Sequence, residues 1–159
     1  MRGTADPAQA INRLREYLQA LVLRCLHECE AFRPLAFVGG TALRFLHGLP
    51  RFSEDLDFSV VSAEGYAGRE WMTKVKHDLT LAGFDPLVTW NDRKTVHVGW
   101  IRLAGLLHEA GLSPMSDQKL AIKLEIDTRP PAGAQCERGI ITRHVTFFLQ
   151  HYDLPSLLA

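Results

Sequence analysis

Cysteine is scarce: the chain holds three in 159 residues, an odd number, and two of them, Cys25 and Cys29, fall in a stretch that reads as helix. This excludes a disulfide framework and points to a reducing compartment, the cytoplasm. Neither sign of charge is in excess, since eighteen Lys and Arg balance eighteen Asp and Glu. No global field therefore draws the chain to nucleic acid, and only a local basic groove would do so. Long apolar runs are also missing, which leaves out a membrane span and a signal segment and sets the expectation of a soluble protein with no membrane partner. There is no internal repeat or low-complexity tract. With 47% hydrophobic and 23% charged residues, the chain suits one domain over residues 1–159 built on a single core.

What the sequence does contain is concentrated in residues 37–60, FVGGTALRFLHGLPRFSEDLDFSV. A short apolar run, residues 35–38, is stopped by Gly39 and Gly40, and residues 41–47 read as a helix ended by Gly48 and Pro50. The glycines thus lie between a strand end and a helix start, where backbone can approach a ligand closely and free helix N–H groups attract phosphate. In the next strand Ser53, Asp55, Asp57 and Ser59 share one face, and Leu56, Phe58 and Val60 share the other. Two acids roughly 6.6 Å apart along a strand repel unless a cation neutralises them. Mg²⁺, which takes one or two carboxylates and completes its shell with substrate phosphate, suits that place and suits phosphoryl or nucleotidyl transfer. A lone Asp-x-Asp is more often a solvated strand face, and the Gly-Gly-Thr upstream reverses that preference.

Residues 119–128, KLAIKLEIDT, repeat the pattern: Leu120, Ile122, Leu124 and Ile126 form an apolar face, Lys123, Glu125 and Asp127 the other. Paired beside the Asp55 strand, this segment would add the third carboxylate that two-ion chemistry uses, and alternation leaves Glu125 and Asp127 both open. Lys123 either pairs with these acids or contacts phosphate.

Gly39-Gly40-Thr41-Ala42-Leu43, followed by Arg51-x-Ser53-x-Asp55-Leu56-Asp57-Phe58, resembles the signature of the AbiEii/AbiGii toxin family of nucleotidyltransferases, within the polymerase-β-like nucleotidyltransferase superfamily. The KLEID-x-R-P-P stretch resembles that family's second acidic block. The resemblance implies Mg²⁺-dependent transfer of a nucleoside monophosphate from a nucleoside triphosphate to an acceptor hydroxyl, with RNA or tRNA as candidate acceptor. It also implies a toxin role with a separate antitoxin protein as partner. Carried onto these residues, it implies Asp55, Asp57 and Asp127 as metal ligands and catalytic acids, with Glu125 as second candidate for the third position. Gly39, Gly40, Thr41, Arg51, Ser53 and Lys123 form the implied nucleotide-binding set. The family continues into a helix with a Lys and then an Arg-Asp block, and neither precedes Ala159. The expectation is the catalytic first part of a longer architecture, a poor catalyst alone, with Arg44, Arg51 and Lys123 as its nearby cations.

The remaining segments read as support. Residues 6–30 form a long first helix, capped by Asp6 and started by Pro7, with Ile11, Leu14, Leu18, Leu21, Val22 and Cys25 as its core stripe. A zinc site at Cys25, His27 and Cys29 is disfavoured, since His27 is turned from the face the cysteines share and no second cluster completes four ligands. Residues 63–82 read as a second helix, and 84–90 with 95–103 as a hairpin around Asn91-Asp92-Arg93, in which His97 is an ordinary half-buried strand histidine. Residues 104–114 read as a loop with a helical turn, 137–150 as a strand pair or one long strand, and a last helix begins near Tyr152. The expected fold is α/β (α+β): a mixed, strongly twisted sheet with helices packed on one side and the acids at the open face. Two other functional classes remain open, a nucleotide-binding remnant without transferase activity and a small-molecule transferase of the antibiotic type.

Overall fold

Asp6 accepts a hydrogen bond from the Ala8 N–H at 3.1 Å and Pro7 takes the first helical position, so helix α1 spans Pro7–Glu28. The computed structural model describes residues 6–130 and 132–159; Pro131, in the KLEID-x-R-P-P block, and residues 1–5 lie outside these. Leu18, Val22, Leu23 and Leu26 of α1 are fully buried, with Ile11, Leu14 and Leu21 packed against them.

The strands are β1 (Leu35–Val38), β2 (Asp55–Val60), β3 (Pro86–Asn91), β4 (Val96–Ala104), β5 (Lys119–Asp127), β6 (Cys136–Ile141) and β7 (Phe147–Tyr152). They form one mixed sheet in the order β3-β4-β5-β2-β1-β7-β6. β2 is antiparallel to β1 and parallel to β5, β1 is parallel to β7, and β3–β4, β4–β5 and β6–β7 are antiparallel. Leu56 and Phe58 of β2 and Leu120, Ile122, Leu124 and Ile126 of β5 are at most 2% exposed. Burying each contributes roughly 1.5–3 kcal/mol, so the apolar half of the alternation fixes which way both central strands face. These side chains share one core with α1, with Ala42 and Phe45 of α2 (Gly39–His47), and with Met72 and Val75 of α3 (Gly68–Leu81). Asp55, Asp57, Lys123 and Glu125 therefore project from the face opposite that core.

Two boundaries differ from the sequence expectation. Helix α2 takes in both glycines rather than starting at Thr41, and ends where Gly48 adopts φ 70° and donates its N–H to the Arg44 carbonyl. Helix α3 starts at Gly68 rather than near residue 63, since residues 63–66 close a separate turn in which the Tyr66 N–H donates to the Ala63 carbonyl at 3.3 Å; the Trp90 ring sits against the first turn of α3, where a Cβ on Gly68 would lie 2.5 Å from that ring and 2.7 Å from the Tyr66 hydroxyl. Of the two readings of residues 137–150, the structure has the strand pair: β6 and β7 form an antiparallel hairpin around a turn where His144 adopts φ 65°. Short helices α4 (Leu106–Glu109) and α5 (Leu154–Leu158) occupy the expected places.

Candidate active site

Val38 ends β1 directly opposite Asp57, and the chain turns there into α2. The turn depends on Gly39 twice. Its φ is 80°, a conformation costly for residues with a side chain, and a Cβ on it would lie 2.5 Å from Asp57 Oδ2. Gly40 is less constrained, since an added Cβ would only touch Ser53 Oγ at 3.4 Å. No side chain caps the N-terminus of α2, which leaves its first N–H groups without intrahelical acceptors beside the acidic face.

Thr41 stands in the first turn of α2, next to both glycines. Its side chain is buried, and its hydroxyl donates to the Asp55 carbonyl, pinning α2 to β2; only its backbone N–H remains for a phosphate. Ser53 lies against Gly40, with its carbonyl accepting from Gln19 Nε2 at 3.0 Å. Arg51 is exposed in the segment between α2 and β2. Arg44 is not a free cation: it pairs with Glu16, donates to the Leu49 and Pro50 carbonyls at 2.9 and 3.0 Å, and lies over the Phe52 ring at 3.8 Å.

The parallel register of β2 and β5 sets Lys123 beside Asp55, Glu125 beside Asp57 and Asp127 beside Ser59. Glu125 thus joins the acid pair one strand away, about 4.8 Å in the pairing direction, while Asp127 sits a further two residues along. Asp127 Oδ1 accepts from the Arg129 N–H at 2.9 Å. Lys123 Nζ is 2.6 Å from Glu125 Oε1. Burial and then the Glu125 charge raise Asp55 above the ordinary carboxylate range, against the pull of Lys123. Asp57 is pushed up to about 6, first by burial and then by Glu125 and Asp55. Lys123 is raised mainly by its hydrogen bond and charge pairing with Glu125.

This donor set fits Mg²⁺. The oxygens are hard, the crowded carboxylates are destabilised as anions without a counter-ion, and the uncapped helix end offers N–H groups to phosphate. Among the described residues, no three acidic, histidine or cysteine side chains converge closely enough to hold an ion as they stand. Glu125 is engaged by Lys123 instead. Cys25, Cys29 and Cys136 are free thiols, with Cys25 buried in the α1 face.

Sequence reasoning missed the polar residues that hold this arrangement. Gln19, buried in α1, bridges the Ser53 and Glu54 carbonyls at the entrance to β2. Burial alone would raise Glu16, but hydrogen bonds from Arg44 and His144 and the charges of Arg44 and Arg143 hold it below the usual range. The available signal was polar residues one helical turn apart, Asn12, Arg15 or Glu16, and Gln19, running beside an apolar stripe. Trp100 was also missed; it pairs across to Lys123 on the acidic face.

A mixed seven-stranded sheet backed by helices, with a glycine turn opening a helix over an acidic strand, is the architecture of a nucleotidyltransferase domain. The structure of JHP933 from Helicobacter pylori shares it with a TM-score of 0.55 and 22% identity, over 92% of this chain and 54% of that one. A second H. pylori structure, assigned as a nucleotidyltransferase, matches with a TM-score of 0.54 and 22% identity over 91% of this chain and 54% of its own. The chain thus spans about half the length of these proteins. No curated protein sequence matches it. The sequence model of the family described as nucleotidyl transferase AbiEii toxin, type IV TA system, matches residues 21–159, and the chain belongs to that family.

Proposed function

We propose that this chain transfers a nucleoside monophosphate from a nucleoside triphosphate to an acceptor hydroxyl, with Mg²⁺, as the cytoplasmic toxin of a toxin–antitoxin pair. The observation that carries this reading is the meeting of Gly39 and Asp57, with Glu125 in register on the neighbouring strand. Family membership supports the toxin role and an antitoxin protein as partner. Among the described residues no helix is long and apolar enough to cross a membrane.

In this reading Asp55 and Asp57, with Asp127 or Glu125, would hold Mg²⁺, whose charge would offset that of the phosphate oxygens. The backbone N–H groups of Gly39, Gly40 and Thr41 bind the triphosphate. Glu125, with Asp127 as the alternative, accepts the acceptor's proton as its oxygen bonds to the α-phosphorus; the α–β bridging bond breaks and pyrophosphate leaves. Arg51 is assigned to the developing charge on pyrophosphate, Arg44 being tied to Glu16 and Lys123 lying on the acceptor side beside Glu125. RNA or tRNA is the candidate acceptor.

The test is incubation with Mg²⁺, each α-labelled nucleoside triphosphate and a total RNA pool. Labelled RNA is expected, lost with EDTA and with Asp55→Asn or Asp57→Asn. No triphosphate binding and no label would refute transferase activity.

A further inference from the structure

We propose that the open sheet face beyond Lys123 seats the terminal nucleotide of a polynucleotide acceptor, its base stacked on Trp100; this rests on the nucleotidyl-transfer reading. The register runs Thr89–Trp100–Lys123–Asp55 across β3, β4, β5 and β2, with Asn91–Val98–Glu125–Asp57 as the adjoining row. Two strand spacings, about 10 Å, separate Trp100 from the acidic strand. That is the reach of a nucleotide whose hydroxyl lies at the acids and whose base lies on the ring.

Trp71 is in the core and Trp90 packs against it, whereas Trp100 belongs to neither and faces the open side. Beside it is a cavity of about 410 Å³, large enough for a nucleotide, floored by Val98 and edged by Thr89 and Asn91. Its charged lining residues are Lys94 and Lys123, with no acid, in a chain of zero net charge. The Arg102 guanidinium lies 4.4 Å and Lys123 Nζ 5.5 Å from the Trp100 ring. Both are cation–π contacts over the ring, with Lys123 in the cavity lining and Arg102 outside it, so the base takes the ring face turned to the cavity; an aromatic platform with cations beside it is the arrangement that holds single-stranded nucleic acid.

The same geometry separates acceptor from donor. The glycine turn lies on the β1 side of Asp57 and Trp100 on the β4 side. Phosphoryl transfer places attacking and leaving oxygens roughly in line on opposite sides of phosphorus. A triphosphate at the α2 end therefore leaves the Trp100 side to the attacking strand.

The test titrates the chain with a fluorescein-labelled single-stranded RNA hexamer bearing a free 3′ hydroxyl, with Mg²⁺ and no nucleoside triphosphate, followed by anisotropy. Trp100→Ala should weaken binding roughly 5- to 150-fold, the range for one lost base–aromatic stack, Trp100→Phe should restore most of it, and Lys94→Gln should weaken it and flatten its salt dependence. Calorimetry with each Mg²⁺–triphosphate should give the same donor affinity for wild type and Trp100→Ala. The proposal is overturned if wild type does not bind the hexamer, if Trp100→Ala with an unchanged melt binds it like wild type, or if that variant loses triphosphate affinity instead, which would make the cavity the donor-base site. Because the hexamer titration contains no donor, its result is independent of whether transfer occurs.

Discussion

Strands β2 and β5 lie side by side, run the same way and alternate alike, yet their polar rows behave differently. β5 carries its own counter-ion: Lys123 is 2.6 Å from Glu125. β2 has two acids and no cation of its own, and its Asp57 is raised to about 6 by burial and the neighbouring acids. A carboxylate row with an internal lysine is at rest in the folded chain. A row without one is strained as an anion, and that strain is relieved by a proton or by a metal ion. The contrast is what separates acids already neutralised within the folded chain from a site prepared for a cation.

The severest way to break β2's side of the contrast is to fill the space that Gly39 leaves against Asp57. Gly39→Val places a side chain where even a Cβ would be 2.5 Å from Oδ2, at φ 80°. The expected cost is about 2–4 kcal/mol in denaturant melts, with loss of triphosphate binding. Gly40→Ala, whose Cβ meets Ser53 Oγ at 3.4 Å, should cost less than about 1 kcal/mol. Equal losses at the two glycines would show that the close approach to Asp57 is not what the turn protects.

A smaller effect, of opposite sign, is expected from Asp57→Asn. The folded-state pKa of Asp57, about 6, lies above its unfolded value, so the folded chain binds that proton more tightly. Stability of the metal-free wild type should therefore fall as pH rises from about 4 through 6 and level off beyond. Asp57→Asn should remove most of that fall, the remainder coming from Asp55, and at pH 8 melt level with wild type or above it by roughly 1 kcal/mol, allowing for solvent screening. It should also abolish Mg²⁺-dependent triphosphate binding. Thermal melts in EDTA at pH 4, 6 and 8 decide the matter, and a clear loss of stability at pH 8 would mean the β2 row is structural.

The mildest change tests the lysine. Lys123→Met removes the cation that opposes the upward shift of both β2 acids. The Asp57 carboxyl, followed by NMR, should then titrate above its wild-type value. An unmoved titration would show that Lys123 serves Glu125 alone.

Much of this was legible beforehand because it is local. The cap at Asp6, the stop at Gly48 and the hairpin of β3 and β4 follow from neighbouring residues, and the structure has them where the sequence reading put them, within a few residues. The roles of Thr41 and Arg44 were not legible, since each depends on a partner brought in by folding: the Asp55 carbonyl for one, Glu16 for the other. Trp100 gave no signal either, because whether a strand tryptophan enters the core or faces outward depends on which side the helices cover.

The sequence by itself determined which side chains share a face: Asp55 with Asp57, and Lys123 with Glu125 and Asp127, because the period of two along a strand is a property of the backbone. Only the tertiary structure decided that Glu125, and not Asp127, stands beside Asp57. A slip of two residues between β2 and β5 would keep every face unchanged and exchange the two acids, so alternation cannot tell these registers apart. The observed register is held by Leu56 against Leu124 and Phe58 against Ile126 within a core shared with α1, α2 and α3, contacts that exist only once distant parts of the chain have met.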